Sequence, residues 1–380
     1  MKILFIGARL FDDVALYTKK NAIQTIITES NSESSNLNLS DKFYTVSRGM
    51  EEPMEIAIKE EVDGVVPLIG VDGPLVDVAN MKEILEKDHG ILVASSGVGA
   101  ASICADKFKT KEFFVNNNIN TPQFSKISKN NYKTVLPDLL SNKSPVVLKQ
   151  SSGQGGSGIK IVSNMTDVGN YFDTYNDAMA EKFLEGFEVS IEVLRWNGKS
   201  VPLVPVCKGK TTVEGIHPLK KIKKAPLDIE HVDNQINNNY IKKVAVKIAE
   251  TMKLEGTADI DLIFHRETGK NYAIEVNARP SGTRYITGAA TDVYIMHELI
   301  KMVAGNWDPV KLENRIKDYS SIEIPVGNYS SEKNNYKFRE FTNQNPWIIH
   351  GPKNHERITI RGDSSENVVK KAEELKIFLG

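Results

Sequence analysis

Two β-rich runs, Gly256–Phe264 and Tyr272–Asn277, flank a Glu267-Thr268-Gly269-Lys270 turn, which predicts an antiparallel hairpin. This hairpin constrains the chain most, because it assigns faces to its charged residues. Asp259 and Asp261 share one face of the first strand. In the extended stretch from Ile274 onward, Glu275, Asn277 and Arg279 project one way, while Val276 and Ala278 pack behind them. Pairing brings an aspartate opposite Glu275 and Asn277. Such an oxygen-rich cluster suits Mg2+, and the planar fork of Arg279 suits phosphate oxygens. An isolated Glu-x-Asn-x-Arg is more often the solvated polar face of an edge strand. The rest of the chain reverses that balance.

The first hundred residues alternate strand and helix. Lys2–Gly7, Gln24–Glu29, Lys42–Val46 and Gly64–Ile69 read as strands. Asp12–Lys20, Pro53–Glu61 and Leu75–Lys87 read as helices. The pattern predicts a parallel, doubly wound sheet. Loops after its strands face ligands, so Gly70–Gly73 is either part of a substrate pocket or a plain turn. The segment Gly7-Ala8-Arg9-Leu10-Phe11-Asp12 lacks the GxGxxG glycines, which disfavours a dinucleotide site.

Further on, Pro145–Gln150 is β-rich and carries Lys149, which needs a partner if buried. Ser151-Ser152-Gly153-Gln154-Gly155-Gly156-Ser157-Gly158 follows, leading into Ile159–Val162. Glycines let a backbone approach an anion, and successive N–H groups cradle phosphate. The loop is not a Walker P-loop, and a plain hairpin tip is the other reading. Lys107, Lys109 and Lys111 open a helix and read as its solvated face. Lys208, Lys210, His217, Lys220, Lys221, Lys223 and Lys224 form a local cationic segment, either anion-binding or solvated. Asn239–Lys253 is amphipathic at helical spacing.

A net charge of −1 over 380 residues gives no field that recruits nucleic acid or membrane. Apolar residues make up 40% and charged residues 26%, as in soluble globular chains. No apolar run reaches spanning length. Cys104 and Cys207 show no metal-ligand spacing, and a cytoplasmic setting without a disulfide fits.

With these residues in hand, the chain resembles the ATP-grasp enzymes over about residues 1–310. The resemblance rests on the order of a pre-grasp α/β domain, a helix lysine, a lysine before a glycine-rich hairpin, Glu181-Lys182-Phe183-Leu184, and the Asp and Glu-x-Asn-x-Arg strands. It is most similar to the carbamoyl-phosphate-synthetase-like carboxylate–amine ligases, which include the pyrrolysine-pathway ligase and amino acid ligases. The implied fold is α/β and α+β. A doubly wound pre-ATP-grasp domain (1–100) precedes a small lobe with the glycine-rich phosphate loop (101–182) and a large lobe with the Mg/ATP site (183–310). A C-terminal lobe (311–380) follows.

The resemblance also implies roles. Lys107 and Lys149 contact ATP phosphates, with Lys149 also near the adenine. Ser152, Gly153, Gly155, Gly156, Ser157 and Gly158 belong to a loop that closes over the phosphates. Glu181 and the backbone of Lys182, Phe183 and Leu184 hold the adenine edge, and Glu188 holds the ribose. Asp261, Glu275 and Asn277 bind two Mg2+ ions, with Mn2+ an alternative. Arg279 is a catalytic candidate that steadies the γ-phosphate and an acyl phosphate. Lys208 or Lys210 contacts phosphate. Arg284 lies just beyond the motif and is a second catalytic candidate, for a substrate carboxylate, on its position alone.

The expected activity is amide formation between a small-molecule carboxylate and an amine, at least one an amino acid, by a homodimer without nucleic-acid or membrane partners. Rival readings are a bicarbonate-activating enzyme of biotin-carboxylase or carbamoyl-phosphate type and a non-catalytic nucleotide-binding protein. A nicotinamide-dependent oxidoreductase is disfavoured by the missing glycines.

Overall fold

The structure, a computed structural model, describes residues 1–140, 144–153, 156–215, 220–327, 339–352 and 354–377. Gln154, Gly155 and His217, each part of an expectation above, lie outside the described residues. Among the described residues the strands form three sheets.

The first sheet contains β1 (Lys2–Ile6), β2 (Gln24–Glu29), β3 (Lys42–Thr45), β4 (Gly64–Pro67) and β5 (Leu92–Val93), in the order β3-β2-β1-β4-β5. Its pairings are parallel, as the strand–helix alternation predicts. β1 is apolar on both sides because both sides are covered. Ile3 and Phe5 belong to one buried cluster, and Leu4 and Ile6 to another.

The second sheet contains β6 (Phe124–Ser128), β7 (Val146–Lys149), β8 (Lys160–Val162) and β9 (Asp177–Lys182), in the order β6-β9-β7-β8. It is antiparallel and packs Ile127, Leu148 and Ala180 against Leu136, Val168 and Phe172.

The third sheet contains β10 (Gly186–Trp196), β11 (Lys199–Lys210), β12 (Lys223–Ala225), β13 (Gly256–His265), β14 (Lys270–Asn277), β15 (Ser320–Gly327), β16 (Trp347–His350) and β17 (Glu356–Gly362). Its order is β14-β13-β10-β11-β12-β15-β17-β16. The C-terminal strands thus continue this sheet through the β12–β15 pairing. They still have a core of their own, where Ile322, Ile324, Ile358 and Ile360 meet Val368 and Ala372 of the helix Ser365–Glu374. The helix Asn234–Thr251 buries Ile241, Ala245, Ile248 and Ala249 in the cluster that contains Val189, Ile191 and Ile260. It starts earlier than its apolar periodicity suggests, because the Asp233 side chain caps it by accepting from the Ile236 N–H.

The β13–β14 hairpin forms as expected, with Asp259 opposite Asn277 and Asp261 opposite Glu275. A bulge follows. Leu262 pairs with Ala273, so Ile274 is left over on β14. β13 is locked on its other side by β10, from Gly186 opposite His265 to Arg195 opposite Gly256. Gly186 opens β10 against the β13 backbone, where a Cβ would lie 1.9 Å from the Phe264 carbonyl oxygen. Gly186→Ala must therefore push the two strands apart. We expect it to lower stability by about 1–3 kcal/mol in urea denaturation, and an unchanged midpoint would contradict this register.

Candidate active site

The hairpin end carries the expected face. Val276 and Ala278 are in the core behind it, and Arg279 donates from Nη2 to Asn277 Oδ1 at 2.9 Å. Each acidic group has a cation from another element. Lys107 Nζ lies 3.2 Å from Glu275 Oε2. Lys208 is ion-paired with Asp261, and Arg279 with Asp72 of the loop after β4. The charges of Asp261 and Asp259 raise the Lys208 ammonium above the ordinary lysine range, although burial opposes this. Of the two lysines left open by the sequence, Lys208 enters the site, whereas Lys210 is exposed at the end of β11. Asp72 is a residue that sequence reasoning missed. Its loop was marked only as a pocket or a turn.

The donor set is two carboxylates and one amide, all oxygen ligands and suited to a hard cation. Among the described residues there is no group of three or more His, Cys, Asp or Glu side chains arranged to hold a metal. Asp259 does not join the set. It accepts from Ser190, and burial together with Asp261 pushes its carboxyl up to about 6.

Lys107 also reaches the glycine-rich loop, donating to the Gly153 carbonyl at 3.0 Å. Its own N–H bonds Ser151 O at 2.9 Å. The loop and the acidic face therefore meet at one lysine. Gly153 has φ +124° and Gly156 φ +86°, conformations that side chains disfavour. Ser152, Gly153, Gly156 and Ser157 are exposed, and Gly158 is half-buried.

The expectation of a solvated lysine face fails on the helix Lys107–Asn116. Helical spacing puts Lys107 and Lys111 on one side and Lys109 on another. Lys109 is exposed, but Lys111 is fully buried. Its ammonium sits 2.6 Å from Glu181 Oε2, while Lys149 Nζ holds Glu181 Oε1 at 2.9 Å. Burial alone would raise the Glu181 carboxyl, but the two ammonium groups hold it below the usual range. Burial pushes Lys111 down to about 8, against the pull of Glu181.

Beside Glu181, the Lys182 and Phe183 N–H groups bond Gln123 O at 2.9 Å and Pro145 O at 3.1 Å. Neither is then free for a base edge. Among the described residues the Leu184 N–H donates no hydrogen bond. Glu188, half-exposed, pairs with Lys221 of the cationic segment. Arg284 stands apart from these groups. Its Nε bonds Asp13 Oδ2 at 2.6 Å and its Nη1 bonds Ser281 O at 3.1 Å.

Between Arg279 and Arg284, Ser281 and Thr283 both donate to Oε1 of Glu192, which is buried on β10. Burial first, and then Asp259, push the Glu192 carboxyl up to about 8. A carboxyl raised on folding binds its proton more tightly in the folded chain. Its contribution is therefore fully present below pH 4.5 and is lost as pH rises toward about 8. Glu192→Gln is expected to flatten the fall of urea stability over that window, and an unchanged pH slope would refute the assignment.

Comparison with known proteins bears on the family and the fold. Residues 104–283 match the ATP-grasp domain family. Over 375 residues the chain is 45% identical to a Methanobrevibacter smithii protein named carbamoyl-phosphate synthase, covering 99% of this chain and 100% of that one. Two solved structures share the fold. One is the biotin carboxylase domain of the Hydrogenobacter thermophilus 2-oxoglutarate carboxylase, with a TM-score of 0.77, 20% identity, and 98% and 88% of the two chains covered. The other is the L-amino acid ligase from Bacillus licheniformis, with a TM-score of 0.72, 18% identity, and 99% and 96% covered. With residues 104–283 matching the domain family and a relative 45% identical over 99% of this chain and 100% of its own length, the chain belongs to the ATP-grasp family and is an ATP-binding ligase.

Proposed function

We propose that the chain is an ATP-dependent carboxylate–amine ligase. It forms an amide through an acyl phosphate, releases ADP and phosphate, and takes an amino acid as at least one substrate. The observation that carries this reading is the placement of Asp261 opposite Glu275 with Asn277 alongside, each beside a cation from a different element. These cations and acids are partners for each other, and Mg·ATP offers each a stronger one. Asp261, Glu275 and Asn277 would hold the metal, and Lys107, Lys208 and Arg279 would take phosphate oxygens. Mg2+, with Mn2+ an alternative, supplies charge neutralisation on the triphosphate when bound.

The remaining roles follow from position. Lys149 and the loop of Ser152, Gly153, Gly156, Ser157 and Gly158 hold phosphates, and Lys111 with Glu181 fixes the floor beneath them. The Leu184 N–H, which bonds nothing among the described residues, donates to the adenine edge, and Glu188 faces the ribose. A carboxylate oxygen attacks the γ-phosphorus and ADP leaves. Arg279 steadies the transferred phosphoryl group. The amine lone pair then attacks the acyl carbon, phosphate departs, and the nitrogen sheds its proton. The chain's own contribution is placement and charge, and no covalent nucleophile is needed.

The B. licheniformis structure is that of an L-amino acid ligase, which supports an amino acid substrate. The name of the M. smithii relative favours a second reading, in which bicarbonate is the acid activated at the same phosphoryl end. The H. thermophilus domain is described as a dimer, and a homodimer is the assembly proposed here.

Glu275→Ala and Asn277→Ala are expected to cut ADP formation by at least about 100-fold while circular dichroism stays unchanged. Full turnover in either variant would remove the metal assignment. An ADP-release screen with Mg·ATP over pairs of amino acids, with bicarbonate as a separate arm, separates the readings. Release with an amino acid pair supports the ligase. Release with bicarbonate alone overturns it.

A further inference from the structure

The strand that leads into the glycine-rich loop ends in a group of charges that do not balance. At the metal end each acid meets one cation: Lys107 with Glu275, Lys208 with Asp261, and Arg279 with Asp72. At the end of β7, two ammonium groups share the single carboxylate of Glu181. Lys111 Nζ lies 2.6 Å from Oε2 and Lys149 Nζ 2.9 Å from Oε1. Burial lowers Lys111 to about 8, so at pH 7 it is still protonated. The triad therefore carries one net positive charge. The field of Glu275 also reaches Lys111, but that carboxylate is already paired with Lys107.

The two ammonium groups are not equivalent. Lys111 is fully buried and donates to Thr121 Oγ1 at 2.7 Å and to the Ala273 carbonyl at 3.3 Å. With Glu181, these acceptors use all three of its donors, so none is left for a ligand. Lys149 is 8% exposed, and among the described residues its Nζ donates to Glu181 alone. An ammonium has three donors, so two remain open. One cation of the triad is thus fixed, and the other stands open directly before the glycine-rich loop.

That difference decides what the open cation can do. A carboxylate held by one lysine makes a closed, neutral pair, and a phosphate must compete with it for the ammonium. With a second ammonium on its far oxygen, the carboxylate is already neutralised. The first ammonium then keeps its charge for an anion. In a buried site of low dielectric, one unit of net charge changes anion affinity strongly.

We propose that Lys111 is a positioning residue for phosphate binding: it neutralises Glu181 from the buried side and leaves the Lys149 ammonium available to a phosphate group of the nucleotide. Lys111 itself touches no ligand. The inference rests on the reading of Lys149 as a phosphate ligand. It gives a role to a lysine buried one helical turn after Lys107.

Calorimetric titration of the full chain at pH 7 tests it, with magnesium tripolyphosphate, which has the phosphates without the base, and with a non-hydrolysable Mg·ATP analogue. Lys111→Met keeps the unbranched stem and removes the charge. The double variant Lys111→Met, Glu181→Gln also removes the carboxylate, so Lys149 again carries the one net charge. Lys111→Met is expected to weaken both ligands by about tenfold or more. The double variant is expected to return tripolyphosphate affinity to within about threefold of wild type. Both variants lose the same bonds to Thr121 and Ala273, so a purely structural role leaves the double variant at least as weak as the single one. That result overturns the proposal, as does unchanged affinity in Lys111→Met or a wild-type chain that does not bind tripolyphosphate. If Lys111→Met does not fold, the double variant decides alone, because replacing both members of a buried ion pair is tolerated where removing one is not. Near wild-type tripolyphosphate affinity then supports the proposal, and a loss of about tenfold overturns it. Lys149→Met separates the inference from the reading beneath it. If that variant leaves tripolyphosphate affinity unchanged, Lys149 is no phosphate ligand and both fail. If it weakens binding while Lys111→Met does not, only the role of Lys111 fails.

Discussion

The pairing of β13 with β14 is the constraint on which the site depends. Asp261 meets Glu275 only in this register, and a slip of β14 by one residue would turn Glu275 into the core that holds Ile260 and Val276. The register is fixed from outside the hairpin. β13 is paired along its length by β10, and the closeness of Gly186 to the Phe264 carbonyl leaves no room for sliding. On β14 the bulge at Ile274 absorbs one residue before Glu275, which re-aims the end of the strand. A sheet whose core is built from Val189, Ile191, Ile260 and Val276 thereby presents its polar residues at one edge.

Around that edge the chain solves an electrostatic problem. Several acids and several cations are needed within one groove, and unpaired they would be costly to bury. They come from separate elements: Lys107 from a helix, Lys208 from β11, Asp72 from the loop after β4, and Arg279 just beyond β14. Each is neutralised by a neighbour, so the groove carries little net charge; in the proposed function each pair would be traded for a metal or a phosphate. The deeper triad of Lys111, Glu181 and Lys149 is of another kind. Lys111 is fully buried and Glu181 nearly so, which makes that triad a fixed floor.

Much of this was legible in the sequence, for reasons that can be named. The hairpin was visible because alternation has period two and its turn carries Gly269. The first sheet was visible because apolar runs alternate with helical ones. What stayed hidden depends on partners far away in the chain. Lys111 looked solvated because Glu181 is seventy residues distant, and nothing local marks it as buried. Helical geometry alone would have paired Lys107 with Lys111 and set Lys109 apart. Asp13 and Arg339 carry no motif, and they meet Arg284 and Tyr285 only once the tail has folded back. The bulge at Ile274 and the use of the Lys182 and Phe183 N–H groups by Gln123 and Pro145 are likewise tertiary facts.

The central claim is that Asp261, Glu275 and Asn277 form the metal end of an ATP site. The most direct measurement is calorimetric binding of a non-hydrolysable ATP analogue, with Mg2+ and with EDTA, to the wild-type chain and to Glu275→Ala. The expected result is that Mg2+ tightens binding at least tenfold in the wild type and has little effect in the variant. A variant that keeps the full Mg2+ dependence would contradict the claim.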